Sequence, residues 1–339
     1  MRRPCIGRGG EHVDRTESNP PEEGRVNRPR ESRTDDIGER SARRTYRTPG
    51  AAGHGLPTVH RVKADDGVAI RVLEWAGEEL PAFQVLHGAM GNATMWAPLA
   101  DAFPSRRIVT SDHRGYGETE GPVGTCTTDW HIRDAEAARR EMKLGKPILI
   151  GYSGGAVDSV HYAATHPDSM TAVVLIDPPM FAPPPKETMD FFATAPREFK
   201  DLDAYVDVQR AGPLMRGANP RLLRLYGTYV LRPGPDGIWR PHAQPHALSE
   251  WNPSLAKLDV WSLAARIRVP TLVIRAGGAP FLPEPVAQKL VATVRDGRLA
   301  IIEGASHALP FDDPEALHAA IREFVGELNL GAKADRLDP

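Results

Sequence analysis

The chain has 339 residues, 41% of them hydrophobic and 25% charged, with a formal net charge of −2. That length accommodates one large α/β domain or two ordinary ones around a sizeable core. The near balance of charge gives no overall reason to bind nucleic acid or an anionic membrane, and the longest apolar runs, such as 171–176, are strand-sized, which excludes a spanning helix.

Residues 1–55 carry 12 Arg, 9 Asp or Glu, no Lys and few scattered apolar residues. Such a composition predicts a disordered, mixed-charge tail rather than a nucleic-acid or membrane arm. Arg2-Arg3 is followed by polar and glycine-rich residues instead of the apolar region that an export signal requires. Only two cysteines occur, Cys5 and Cys126; they do not make a disulfide framework and they fit a reducing, cytoplasmic setting.

From Thr58 the pattern becomes strands alternating with helices. A hairpin is predicted first, 58–64 and 68–75, turned at Asp65-Asp66-Gly67. Strand 82–87, helix 94–103, strand 107–111 and helix 128–142 follow. Strand 146–152, helix 155–166 and strand 171–176 continue the series. After an interruption come strand 270–275, helix 284–294, strand 298–302 and an amphipathic helix 314–328. Short apolar strands between amphipathic helices predict an α/β fold with a mostly parallel, doubly wound sheet covered on both faces.

The interruption, 179–267, holds proline-punctuated helical pieces rich in aromatics: Phe191, Phe192, Tyr205, Tyr226, Tyr229, Trp239, Trp251 and Trp261. An insertion placed there would lie over the carboxyl edge of the sheet, where open α/β folds bind ligands, and it reads as a helical lid. The expected organisation is a tail (1–55), a first core part (56–178), the lid (179–267), a second core part (268–330) and a flexible end (331–339).

Gly151-Tyr152-Ser153-Gly154-Gly155 follows the strand and opens the helix. That is the context a nucleophile elbow needs, because the turn is too sharp and close-packed for side chains at the flanking glycines. Ser153 is therefore the candidate nucleophile, and the N–H of Gly154, at a helix N-terminus, is half of a candidate oxyanion hole. The loop His87-Gly88-Ala89-Met90-Gly91 would supply the other half through the N–H of Ala89, with Met90 as the fallback. His87 itself reads as a loop histidine that shapes this site, not as a base. A serine hydroxyl needs a base within reach. His307, in Gly304-Ala-Ser-His307, lies just after the last predicted strand, at the same sheet edge as Ser153.

His87-Gly88, then Ser111-Asp-His-Arg-Gly-Tyr-Gly117, then Gly-Tyr-Ser-Gly-Gly and then Gly-Ala-Ser-His307 occur in an order that resembles the α/β-hydrolase superfamily over about 58–329. The resemblance implies that Asp112 and Arg114 are scaffold. It also implies an acid a few residues past the strand after the lid, but that stretch reads Ala276-Gly277-Gly278-Ala279-Pro280, with Ala279 near the acid's position. Some members carry the acid at the end of the strand after the elbow helix, and here Asp177 ends that strand. Asp177 becomes the third candidate, with Glu284 and Asp312 as substitutes; its other reading is a strand-end cap before Pro178-Pro179. Serine rather than aspartate at 153 disfavours an alkyl-enzyme route.

His242 and His246 are four apart, but Pro241 and Pro245 break the helix that would align them, so no metal site is read. No P-loop and no dinucleotide fingerprint appears, and no cofactor is expected. The expected function is hydrolysis of an ester-like or other acyl bond in a small, fairly apolar substrate through an acyl-enzyme. Cofactor-free oxygen chemistry, a perhydrolase-type reaction and a non-catalytic binding protein are the alternatives; oligomeric state and substrate identity stay open.

Overall fold

The Asp65-Asp66-Gly67 turn sets the first register. In the computed structural model, which describes residues 55–179, 181–182 and 185–334, β1 (Thr58–Lys63) and β2 (Ala69–Trp75) pair antiparallel with Lys63 opposite Ala69. Gly67 takes φ of 92°, a region free of strain only without a Cβ. β3 (Glu79–Leu86), β4 (Arg106–Ser111), β5 (Ile148–Tyr152) and β6 (Ala172–Ile176) follow. A ribbon of two three-residue strands, β7 (Leu231–Pro233) and β8 (Trp239–Pro241), stands apart. β9 (Thr271–Ala276) and β10 (Gly297–Ile302) complete an eight-stranded sheet in the order β1-β2-β4-β3-β5-β6-β9-β10, parallel from β4 to β10.

The helices are α1 (Ala97–Ala102), α2 (Thr128–Glu141), α3 (Gly154–Thr165), α4 (Lys186–Thr194), α5 (Leu202–Ala211), α6 (Pro220–Val230), α7 (Ala247–Ala256), α8 (Val260–Ala264), α9 (Glu284–Thr293), α10 (Leu309–Asp312) and α11 (Pro314–Ala334). Alternate residues of each strand enter opposite layers. Ile148, Ile150, Val174, Ile176, Leu272 and Ile274 face one; Leu149, Val173, Leu175 and Val273 face the other. Both layers are buried, which is why these strands read as continuous apolar runs rather than as an alternation.

The segment between β6 and β9 packs into both layers. Leu202, Tyr205, Leu223 and Tyr226 join the first, and Trp251 and Leu255 the second. The turn after β4 is fastened by charge. Asp112 accepts the N–H groups of Ala93 (2.6 Å) and Glu118 (2.8 Å), while Arg114 holds Asp66 and Asp134 and lies 4.2 Å over Trp130.

Three local expectations differ. The predicted helix 94–103 is split into a 3-10 turn (Ala93–Trp96) and α1, because Pro98 in the first turn of α1 lacks the N–H that would continue a helix from the turn. The ribbon β7–β8 and the single turn of α10 lack the length that gives a periodic signal. α11 runs to Ala334, past the Leu328 at which its amphipathic pattern ends. The expectations for 1–54, including Cys5, and for 335–339 lie outside the described residues. No helix among the described residues is long and apolar enough to cross a membrane.

Candidate active site

β5 delivers Ser153 through a strained turn. Ser153 has φ 54° and ψ −125°, a conformation rare outside glycine, and its N–H donates to Ile176 O at 2.9 Å. The neighbours must be small. A Cβ on Gly155 would fall on the carbonyl oxygen of His87, and one on Gly88 would lie 2.7 Å from Ser153 Cβ. The turn and the loop after β3 are thus pressed together at the carboxyl edge of the sheet.

The other two side chains come from the end of β6 and from the turn that follows β10. His307 Nε2 lies 2.9 Å from Ser153 Oγ, and its Nδ1 lies 2.6 Å from Asp177 Oδ2. All three are buried. Asp177 sits at φ 44°, its N–H donating to Ile274 O (2.7 Å) and its Oδ1 accepting Ala276 N–H (3.2 Å). A carboxylate at Nδ1 places the ring proton there and leaves the Nε2 lone pair free to face Ser153.

His307 is held from several sides. Its N–H donates to Leu214 O (2.9 Å), and its carbonyl accepts the Tyr152 hydroxyl (2.7 Å). The Tyr152 ring stacks on the imidazole at 5.2 Å, and the Phe281 ring meets it edge-on at 4.5 Å. Neither aromatic was singled out in the sequence. Tyr152 was visible only as the variable position of the elbow, and a contact across 155 residues leaves no local pattern.

The substitute acids lie elsewhere. Asp312 accepts the N–H groups of Ser306 (2.7 Å) and Asn219 (3.1 Å), and Glu284 accepts the Gln288 amide (3.1 Å) in the first turn of α9. Ala279 is buried and its N–H closes a turn on Ala276 O at 3.1 Å. His87 is also distant from the role of a base. Its Nδ1 faces Gly88 O (2.8 Å) and its Nε2 accepts His113 N–H (3.0 Å), so both nitrogens are engaged. Burial pulls its pKa down to about 4 and keeps it neutral.

Ala89, Met90 and Gly154 line the cavity beside Ser153. The N–H groups of Ala89 and Gly154 donate to no group among the described residues. Met90 takes φ 65°, and Gly91 N–H closes the loop on Gly88 O at 3.0 Å. The cavity measures about 500 Å³ and is walled mainly by apolar and aromatic side chains of the inserted segment, among them Phe191, Phe199, Leu214, Met215 and Leu248.

Two clusters of potential metal ligands occur among the described residues, His113–His131–Asp158 and Cys126–His246–Glu250. In the first, the imidazoles stack at 4.2 Å and 19°, so their in-plane lone pairs run side by side rather than converging. In the second, burial and the charge of Glu250 push the Cys126 thiol up to about 12, and both Glu250 oxygens accept backbone N–H groups of Gly124 and Cys126. His242, the other histidine of the sequence pair, is not in either cluster.

A family model described as the alpha/beta hydrolase fold matches residues 81–314. The chain is 25% identical over 250 residues to a 2-(acetamidomethylene)succinate hydrolase from Mesorhizobium japonicum, covering 72% of this chain and 88% of that protein. It is 23% identical to a bifunctional esterase/perhydrolase from Acinetobacter calcoaceticus, covering 78% and 98% respectively. Among solved structures, an alpha/beta hydrolase from Novosphingobium aromaticivorans superposes with a TM-score of 0.69 at 19% identity, over 81% of this chain and 99% of that one.

Proposed function

The chain belongs to the α/β-hydrolase fold family, and from that premise we propose that it is a serine hydrolase cleaving an ester-like or other acyl bond in a small molecule. The observation that carries the proposal is the unbroken hydrogen-bonded line from Ser153 Oγ through His307 to Asp177 at the wall of the cavity. In this reading His307 Nε2 takes the Ser153 proton as Oγ attacks the carbonyl carbon. The N–H groups of Ala89 and Gly154 receive the oxyanion, and Asp177 stabilises the imidazolium. His307 then protonates the leaving group. In the second half it deprotonates a water that attacks the acyl-enzyme, and Ser153 departs with the proton.

The inserted helices act as the lid in this proposal. A cavity of about 500 Å³ with predominantly apolar walls suits a small, fairly apolar acyl compound. The hydrolase and esterase names of similar proteins support acyl chemistry. The test is labelling by a serine-directed fluorophosphonate read by peptide mass spectrometry. Rapid modification of Ser153 that disappears in Ser153→Ala is expected; an unlabelled Ser153 in the native protein would refute the reading.

The similarity to an esterase/perhydrolase favours one extension. Hydrogen peroxide in place of water would release the acyl group as a peracid and return the serine hydroxyl. Peracid formation from acetate and peroxide that depends on Ser153 would establish it, and its absence would confine the enzyme to hydrolysis.

A further inference from the structure

The loop that carries His307 is fastened to the insertion as well as to the core. His307 stands between β10 and α10, in neither element, and its own N–H donates to Leu214 O at 2.9 Å. Leu214 lies in the connection between α5 and α6, where it and Met215 are buried and line the cavity. The wall that would meet a substrate is thus bonded to the backbone of the base.

Asp312 makes a second fastening. Its Oδ2 accepts the N–H of Ser306, the residue before His307, at 2.7 Å, and its Oδ1 accepts the N–H of Asn219 at 3.1 Å. Asn219 is the N-cap of α6, its side chain accepting the N–H of Arg221 at 3.0 Å, and α6 lends Tyr226 and Val230 to the cavity. One carboxylate therefore joins the start of a cavity-lining helix to the peptide beside the base. The adjacent Phe311 ring lies 4.5 Å from that of Tyr226. The imidazole takes its own carboxylate from Asp177, so Asp312 meets the base loop through the backbone.

We propose that Asp312 is a positioning residue that couples the insertion to the catalytic base, holding His307 at Ser153 while the connection 212–219 is docked and letting it drift when that connection lifts. This rests on the serine hydrolase reading of the same site. A carboxylate accepting backbone N–H groups makes bonds roughly twice as strong as neutral ones. Without it, the N–H groups of Ser306 and Asn219 lose the acceptor that ties their two segments together. His307 Nε2 must stay at the 2.9 Å that separates it from Ser153 Oγ, and a misplacement of about 1 Å can cost about a hundredfold in rate.

The test reads the base and the insertion separately, in the full chain. Fluorophosphonate labelling of Ser153 gives a rate constant and an amplitude, and trypsin cleavage after the exposed Arg216 reports whether the connection is docked. In Asp312→Ala the rate constant should fall by roughly ten- to a hundredfold, and Arg216 should be cut several-fold faster than in the native chain. A merely structural loss would shrink the labelled fraction and leave the rate constant of the folded protein in place. Asp312→Asn keeps the shape with one acceptor oxygen instead of two and should fall between, which also covers an alanine variant that fails to fold. Asp313→Ala removes the neighbouring carboxylate, which caps α11 through Ala316 N–H at 3.1 Å, and should lower stability while labelling at the native rate. Slow labelling with unchanged cleavage would make Asp312 act on the base without the insertion, faster cleavage with unchanged labelling would uncouple the two, and equal slowing in Asp313→Ala would assign the effect to α11. Each of these results overturns the proposal. Labelling of Ser153 in the native protein tests the hydrolase reading alone, and the trypsin comparison does not depend on it, so the two can fail separately.

Discussion

Asp177 reaches His307 from a left-handed backbone conformation and is held there by two backbone bonds to the end of β9. Such a position fixes one carboxylate oxygen for the imidazole. On the proposed mechanism, Asp177→Asn keeps the shape but removes the charge and lets the amide favour the wrong tautomer, so kcat/KM should fall by about 10³ to 10⁴ with slower fluorophosphonate labelling. Glu284→Gln, on α9 with Gln288 as its partner among the described residues, should change kcat/KM by about twofold or less. A reversed order of effects in these two variants would move the acid from Asp177 to Glu284. Asp177 was pointed to by the resemblance to family members that carry an acid at this strand end, and the structure sets that end next to the elbow strand in the parallel sheet. The clamps on His307 were not legible, because Tyr152 and Phe281 meet it only through the fold.

At the scale of elements, the sheet was readable because strands buried on both faces leave unbroken apolar runs between amphipathic helices. The inserted segment was readable only as an interruption. Its ribbon strands are three residues long and contain Pro233 and Pro241, so neither period nor propensity announces them. Trp251 shows how this segment is tied to the elbow. Its ring, fully buried on α7, contacts His87, His113, Tyr116 and His131, and its Nε1 faces Asp158 Oδ1 of α3 at 3.4 Å. A Cβ on Gly154 would meet that ring at 3.0 Å. Trp251→Ala should therefore cost about 3 to 5 kcal/mol in urea denaturation through the cavity it leaves. Fluorophosphonate labelling of Ser153 should slow as well, since the ring backs the elbow. A loss below about 1 kcal/mol, within reach of an ordinary surface change, would mean that α7 is fastened by other contacts.

The whole molecule stores neutral histidines in its core, and this sets how its stability answers to acid. Burial brings His87 and His318 down to about 4, and it holds His113 well below its ordinary value. The unfolded chain takes up protons at these positions near pH 6.5, while the folded chain does not until about 4. Their contribution is thus complete above about 6.5 and is lost as the pH falls toward 4, by up to about 3 kcal/mol for each of the two groups. His318 allows this to be isolated. It lies on α11 and is not among the residues that line the cavity, with its ring against Phe103 at 6.2 Å and the charge of Arg322 adding to burial. In His318→Leu the slope of unfolding free energy against pH between about 6 and 4.5 should be shallower by about one proton, with stability near neutral pH changed much less. An unchanged slope would show that His318 takes up its proton equally in the folded and unfolded chains, and the acid sensitivity would then belong to the cluster behind the elbow.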